Sequence, residues 1–106
     1  MGNVIAEVTF SPIGTATPSL SKYVTAALAV LPEHPEVRYR LNAMGTVLEG
    51  ERHDVINAVE AMNEAVFAAG ALRVGTTLKI DERRDKSTSM DHKVQSVMEG
   101  LGEPNV

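Results

Sequence analysis

A chain of 106 residues has the size of one compact domain, so a single domain over residues 1–106 is expected. Hydrophobic residues make up 43% of the chain but aromatic residues only 4%, which predicts a core of aliphatic side chains. The net charge of −4 argues against a nucleic-acid partner or an anionic membrane, and the absence of cysteine excludes disulfides, thiolate catalysis and Cys-ligated metal sites. Without a signal-peptide pattern or an apolar run of membrane-spanning length, a cytoplasmic protein is expected.

The first third of the chain predicts a strand, a loop and a helix. Apolar and polar side chains alternate over residues 3–11, which is typical of a strand with one buried face. A segment rich in proline and hydroxyl residues then predicts a loop. Apolar residues recur at helical spacing from Leu20, with Ser19 in the place of an N-cap and Pro32 as the stop, so a helix over residues 19–31 is expected.

A hairpin and a second helix are predicted next. Residues 36–42 alternate in polarity, and residues 46–50 resume a strand after a tight turn in which Gly45 can take a positive φ. From Arg52 an apolar stripe continues for several turns as far as Gly70, a residue typical of helix C-termini.

The last third predicts a strand over residues 72–81, a charged segment DERRDK, and a short amphipathic helix after Ser89. The resulting order, β-α-β-β-α-β, is that of a ferredoxin-like α+β sandwich, with a four-stranded antiparallel sheet, two helices on one face and an added C-terminal helix. We call the sheet face that the two helices leave uncovered the open face. Strand alternation assigns to it Ile5, Glu7, Thr9, Arg38, Arg40, Asn42, Val47, Glu49, Gly75, Thr77 and Lys79.

Neither a metal site nor a catalytic site is indicated. His34, His53 and His92 lack metal-binding spacing, and no serine lies in a nucleophile elbow with a histidine to activate it. An RNA-recognition domain has this element order but needs outward-facing aromatic residues, whereas Phe10 and Tyr39 are predicted to face the helices. An acylphosphatase would need an arginine in the loop after the first strand, and that loop has none.

The DERRDK segment has two interpretations. Arg83 and Arg84 could bind a carboxylate or a phosphate, or their acidic neighbours could neutralise them in a salt-linked turn. The near-zero net charge of the segment favours the turn.

The terminal helix and the sheet edges both suggest a partner. The helix is too short to be stable alone, so it must pack on its own domain or on a second chain. Free sheet edges and an open face favour a homo-oligomer, because such surfaces are commonly hidden by self-association.

Glu49 on the open face has two interpretations that the residue pattern leaves open. It could pair with Arg38 or Arg40 across the strands. It could instead be a desolvated carboxylate that fixes a hydrogen-bonding ligand in a pocket of the open face or of a subunit interface.

In several segments the residue identities are more specific than the pattern of polar and apolar residues. VIAEVTFSPIGT, YRLNAMGTVLEG and ALRVGTTLKIDERRDK, and above all MGT-x-x-EG followed by D-x-R-x-DK, resemble a family of small thiamine-binding proteins related to the YkoF proteins. The resemblance covers residues 3–98. It implies the ferredoxin-like fold, assembly into homodimers or homotetramers, and non-catalytic binding of thiamine or its hydroxymethylpyrimidine part, with thiamine as ligand and no cofactor.

The candidate ligand-binding set comprises Glu49, Thr46, Asn42, Thr77, Ile13 and Phe67, of which the resemblance implies the first two. Glu49 and Thr46 match the MGT-x-x-EG motif, and their carboxylate and hydroxyl could bind an aminopyrimidine edge together. Asn42 and Thr77 follow as candidates on neighbouring strands. Ile13 and Phe67 would be apolar walls, although core packing is the favoured role for Phe67.

The main hypothesis is therefore a homo-oligomeric protein that binds thiamine or a related pyrimidine without changing it. One alternative is a structural or regulatory interaction module without a small ligand. The other is an enzyme of unknown activity in which Glu49 acts as a general base.

Overall fold

The computed structural model describes residues 3–102. In chain order its elements are β1 (Val4–Pro12), α1 (Ser21–Ala29), a 3-10 turn (Leu31–Glu33), β2 (Arg38–Asn42), β3 (Gly45–Gly50), α2 (Arg52–Ala68), β4 (Val74–Asp81) and α3 (Met90–Gly100). The strands form one antiparallel sheet in the order β2-β3-β1-β4. This arrangement confirms the predicted ferredoxin-like α+β fold with an added C-terminal helix.

The core lies between the sheet and the helices α1 and α2. Val4, Ala6 and Val8 of the central strand β1 point toward these helices and are at most 3% exposed. They belong to one buried cluster with side chains of β3, α1 and α2, namely Leu48, Tyr23, Ala27, Val55, Ala58, Val59, Met62 and Val66. The predicted aliphatic core is confirmed, with Tyr23 as its buried aromatic residue.

The start of α1 differs from the prediction. The helix begins at Ser21 without a side-chain cap, so Ser19 is not its N-cap. The backbone N–H of Ser19 instead donates to the Thr17 hydroxyl at 3.3 Å, because a local turn competes for this segment before the helix begins. At the start of α2, by contrast, the Glu51 carboxylate caps the helix by accepting from the His53 N–H.

Two glycines serve different purposes. Gly70 has a φ of +117° just beyond α2, which confirms it as the predicted helix terminator. The prediction of a positive φ at Gly45 was wrong, because this residue is an extended member of β3. A Cβ atom there would lie 3.1 Å from Thr9 Cγ2 and 3.3 Å from Glu7 Cγ, so Gly45 allows close packing between strands.

The register confirms the predicted open face, and α3 covers one corner of it. Ile5 of β1 lies opposite Glu49 of β3, which lies opposite Arg38 of β2. Met90, the first residue of α3, is 5% exposed, while Ile5 and Glu49 are 8% and 6% exposed. The terminal helix therefore packs on its own domain through its first turn. Apolar side chains farther along the helix and at its C-cap are exposed, namely Val94, Val97 and Leu101.

Candidate functional site

Glu49 lies under the start of α3, and both of its carboxylate oxygens have partners. Oε1 accepts a hydrogen bond from the Met90 backbone N–H at 2.7 Å, and Oε2 accepts from Arg38 Nη1 at 3.3 Å. The side chain is 7% exposed. Because a buried charge is stabilised only when it is paired, these two donors explain how the carboxylate is tolerated there.

Asp91, the next residue of α3, bridges two arginines of β2. Its Oδ2 accepts from Arg38 Nη2 at 3.1 Å, and its Oδ1 accepts from Arg40 Nη2. Hydrogen bonds from Arg38 and Arg40 lower the pKa of Asp91. The hydrogen bond to Asp91, followed by the charge of Glu49, raises the pKa of Arg38. The predicted pairing of Glu49 with an arginine is therefore present, and α3 supplies a second acid.

Thr46 lies on the other side of the sheet from Glu49. The two residues are three apart on β3, so their side chains point to opposite faces. Thr46 lies opposite Val8 on the helix side and is 5% exposed. The structure thus does not bring the two motif residues together, and a single pyrimidine edge cannot meet both at once in this conformation.

Thr46 lines a cavity of about 770 Å³ between α1 and the β2–β3 hairpin, which we call the hairpin cavity. Its walls are largely apolar, and its hydroxyl groups come from β3 and α1. Residues that define it include Phe10, Val24, Thr25, Leu28, Leu41 and Thr46. Of the described residues that line the cavity, none is Asp, Glu, His, Lys or Arg.

The remaining candidate residues lie apart. Asn42 borders the hairpin cavity at the turn between β2 and β3, although strand alternation places its side chain on the open face with those of Arg38 and Arg40. Thr77 of β4 is exposed and lies opposite Thr9 on the open face. Ile13 and Phe67 are 47% and 39% exposed, and neither lines the hairpin cavity. A ligand-binding role for any of them stays a prediction.

The DERRDK segment is a salt-linked turn. Arg83 donates to Asp85 through Nε at 2.8 Å, and Arg84 donates to Glu82 at 2.8 Å. Arg52 at the start of α2 also donates to Glu82 at 3.0 Å. The hydrogen bond from Arg83 lowers the pKa of Asp85 to about 2. Local neutralisation, the favoured interpretation, accounts for both arginines.

Within residues 3–102 no three His, Asp or Glu side chains are grouped so that they could hold a metal ion. Over the same range no helix is both long enough and apolar enough to cross a membrane.

Comparison with known proteins agrees with the motifs. The sequence matches the family described as thiamine-binding protein over residues 6–98. This chain belongs to that family. It is similar to the UPF0045 protein YqgV of Bacillus subtilis, with 42% identity covering 92% of this chain and 96% of the relative. It is also similar to a UPF0045 protein of Methanothermobacter thermautotrophicus, with 50% identity covering 92% of this chain and 99% of the relative.

Solved structures share the fold of this member of the thiamine-binding protein family. The hypothetical protein MJ1052 from Methanocaldococcus jannaschii superposes with a TM-score of 0.77 at 36% identity, covering 98% of this chain and all of that chain. A candidate thiamine biosynthesis/salvage protein from Thermotoga maritima gives a TM-score of 0.75 at 18% identity, covering 90% of this chain and 98% of that chain. At that identity the second likeness concerns the fold alone.

Sequence reasoning missed two features of this thiamine-binding family member. The first is the hairpin cavity, which is bounded by α1 residues that helical spacing predicted to be part of the core. Helical spacing does not distinguish a side chain that lines a cavity from one that is packed. The contact of Asp91 with β2 was also missed. An acidic residue in the first turn of a helix is expected for electrostatic reasons alone, so it gave no signal of a distant partner.

Proposed function

We propose that this chain binds thiamine or a related hydroxymethylpyrimidine compound in the hairpin cavity, without converting it. The observation that carries the proposal is a large apolar cavity with a few hydroxyl groups, lined by the Met-Gly-Thr part of the MGT-x-x-EG motif in a member of the thiamine-binding protein family.

The size and lining of the hairpin cavity support a small aromatic ligand. Its volume of about 770 Å³ lies within the range of roughly 300–1,000 Å³ that is usual for ligand pockets. Phe10, Leu28 and Leu41 offer apolar cover for the faces of a ring. The hydroxyls of Thr46 and Thr25 can each donate and accept, which suits the ring nitrogens and exocyclic amine of an aminopyrimidine.

The chemistry of the lining favours binding over turnover. Proton transfer during catalysis needs a titratable side chain within hydrogen-bond reach of the reacting atom. The described lining residues provide hydroxyls and an amide but no acid, base or thiol. A neutral pocket of this kind is suited to hold a ligand and release it unchanged.

The corner of the open face around Glu49 is the alternative location. There the carboxylate already accepts from Met90 and Arg38, so a ligand would have to displace the first turn of α3 to reach it. The hairpin cavity needs no such rearrangement, which favours it as the site.

Calorimetric titration with thiamine and with hydroxymethylpyrimidine tests both the function and its location. Thr46→Val keeps the side-chain shape but removes the hydroxyl, so we expect binding to weaken about tenfold, the equivalent of one lost hydrogen bond of about 1.4 kcal/mol. Thr76→Val is the matched control, because it removes the hydroxyl of an exposed β4 residue that does not line the hairpin cavity, and it should bind like the parent.

Two results would contradict the proposal. The absence of heat and of a thermal shift at millimolar ligand would refute thiamine or pyrimidine binding. Full binding by Thr46→Val together with loss of binding by Glu49→Gln would move the site to the open face.

We also infer that copies of the chain associate into homodimers or homotetramers. The exposed apolar side chains of α3 and the two edge strands β2 and β4 support this inference, because such surfaces are usually covered. Light scattering over a range of protein concentrations is the test. A monomer throughout that range would contradict self-association.

A further inference from the structure

We propose that Arg38 and Arg40 form a binding site for a phosphoryl oxyanion, which the Asp91 carboxylate occupies in this structure. We call these two guanidinium groups the arginine fork. The arginine fork lies on the open face, across the sheet from the hairpin cavity. The proposal therefore goes beyond the pyrimidine site and does not depend on its ligand.

The geometry of the fork is that of two donors converging on one anion. Arg38 and Arg40 are two residues apart on β2, so both project from the same face with Cα atoms about 7 Å apart. Each oxygen of Asp91 accepts from a different guanidinium. A phosphoryl group offers at least as many oxygens and can bridge the same donors, and paired arginines are well suited to phosphate.

The sheet by itself leaves the fork with an excess of positive charge. Arg38 has a second partner, the Glu49 carboxylate at 3.3 Å. For Arg40, Asp91 is the sole acid within 4.0 Å among the residues that the structure describes. Val47 lies opposite Arg40 on the neighbouring strand β3, so no carboxylate compensates it there. Without Asp91, two guanidiniums face one carboxylate.

The contact that occupies the fork can be replaced by a competing anion. The Asp91 side chain is 48% exposed, and exposed ion pairs of this kind contribute little to stability. The first turn of α3 has other contacts with the sheet that do not involve Asp91. Met90 is buried, and Lys93 forms a salt bridge with Asp81 at 2.8 Å. Asp91 thus acts as an internal competitor for the fork rather than as the sole attachment of the helix.

The test compares phosphate binding before and after removal of this competitor. Asp91→Asn frees the fork. If Asp91 occupies the arginine fork about nine-tenths of the time in the parent, the affinity of Asp91→Asn for inorganic phosphate should be about tenfold higher than that of the parent. The titration is followed by NMR at the arginine Nε–Hε signals, at constant ionic strength. Asp85→Asn is the matched control, because it removes an exposed, arginine-paired carboxylate elsewhere and should leave phosphate binding unchanged.

A second substitution assigns the binding to the fork. Adding Arg40→Gln to Asp91→Asn should abolish the gain, and Arg40→Lys in the same background keeps the charge but should still weaken binding, since it loses the planar donor pair. Amide spectra show which of these variants remain folded, and Arg40→Lys carries the test if the glutamine variant does not fold.

Three results would overturn the proposal, namely no gain in Asp91→Asn, an equal gain in Asp85→Asn, or undiminished phosphate binding once Arg40 is replaced. Methyl phosphate separates two sources of the same chemistry. Binding equal to that of inorganic phosphate would support a phosphate monoester as occupant, and binding of inorganic phosphate alone would support the free ion.

Discussion

Glu49→Gln tests whether the buried carboxylate anchors α3 on the open face. In the parent, Glu49 accepts from the Met90 backbone N–H at 2.7 Å and from Arg38 at 3.3 Å, and it is 6% exposed. A hydrogen bond to a charged group contributes about 1.5–3 kcal/mol, compared with about 1 kcal/mol for a neutral pair. Glutamine has nearly the same shape and keeps one acceptor oxygen, so docking of α3 should weaken by about 1–2 kcal/mol.

Amide hydrogen exchange at Met90 is the most direct assay, because its N–H is the group that Glu49 binds. A loss of 1–2 kcal/mol should lower the protection of this amide roughly 5- to 30-fold. Amides within α2 should change much less, since α2 packs on the other side of the sheet. Circular dichroism during urea unfolding then shows how much of the effect reaches the global free energy of unfolding.

Glu64→Gln provides the control for the loss of one negative charge, because Glu64 is an exposed residue of α2. It should leave the exchange at Met90 unchanged. Parent-like protection of Met90 in Glu49→Gln would refute the anchoring argument and would make Glu49 available for another role.

Three further substitutions test the core, a helix terminus and the salt-linked turn. Met62→Ala removes a fully buried side chain of α2 and should lower the free energy of unfolding in urea by about 2–5 kcal/mol, unless the cavity collapses. Gly70→Ala forces a φ of +117° on a residue with a Cβ and should cost about 1–2 kcal/mol, whereas Gly100→Ala, without that φ, should not destabilise. The pKa of Asp85 is lowered to about 2 by Arg83, so its contribution to stability is present above its usual value of 3.8 and is lost as the pH falls toward 2. The stability difference between the parent and Asp85→Asn should therefore shrink as the pH falls from about 4 and vanish only below about pH 2, and an undiminished difference at about pH 2 would contradict this pairing.

The faces of the strands could be predicted from the sequence because they depend on a local rule. Successive side chains of a strand point to opposite faces, so Val4, Ala6 and Val8 had to share one face once residues 3–11 were recognised as a strand. A register shift by one residue would bury Glu7 among the helices, and this penalty determines the pairing. Gly70 ended α2 as predicted for an equally local reason, the freedom of glycine to take a positive φ.

The composition of the candidate site could be predicted only in part. Thr46 and Glu49 share one motif, and the resemblance treated them as one recognition element. Their separation of three residues nevertheless sends the side chains to opposite faces of β3. Whether Thr46 lines a cavity depends on how far α1 stands from the hairpin, which involves residues distant in sequence.

The sequence by itself determined the order of the elements, the inward and outward faces of the sheet and the aliphatic core, because periodicity and turn chemistry act between neighbouring residues. The tertiary structure alone decided where α3 packs, which acids meet Arg38 and Arg40, and that a cavity remains beside Thr46. Asp91 is 51 positions away from Arg40 in the chain. A contact at that separation follows from the packing of whole elements, which no local pattern encodes.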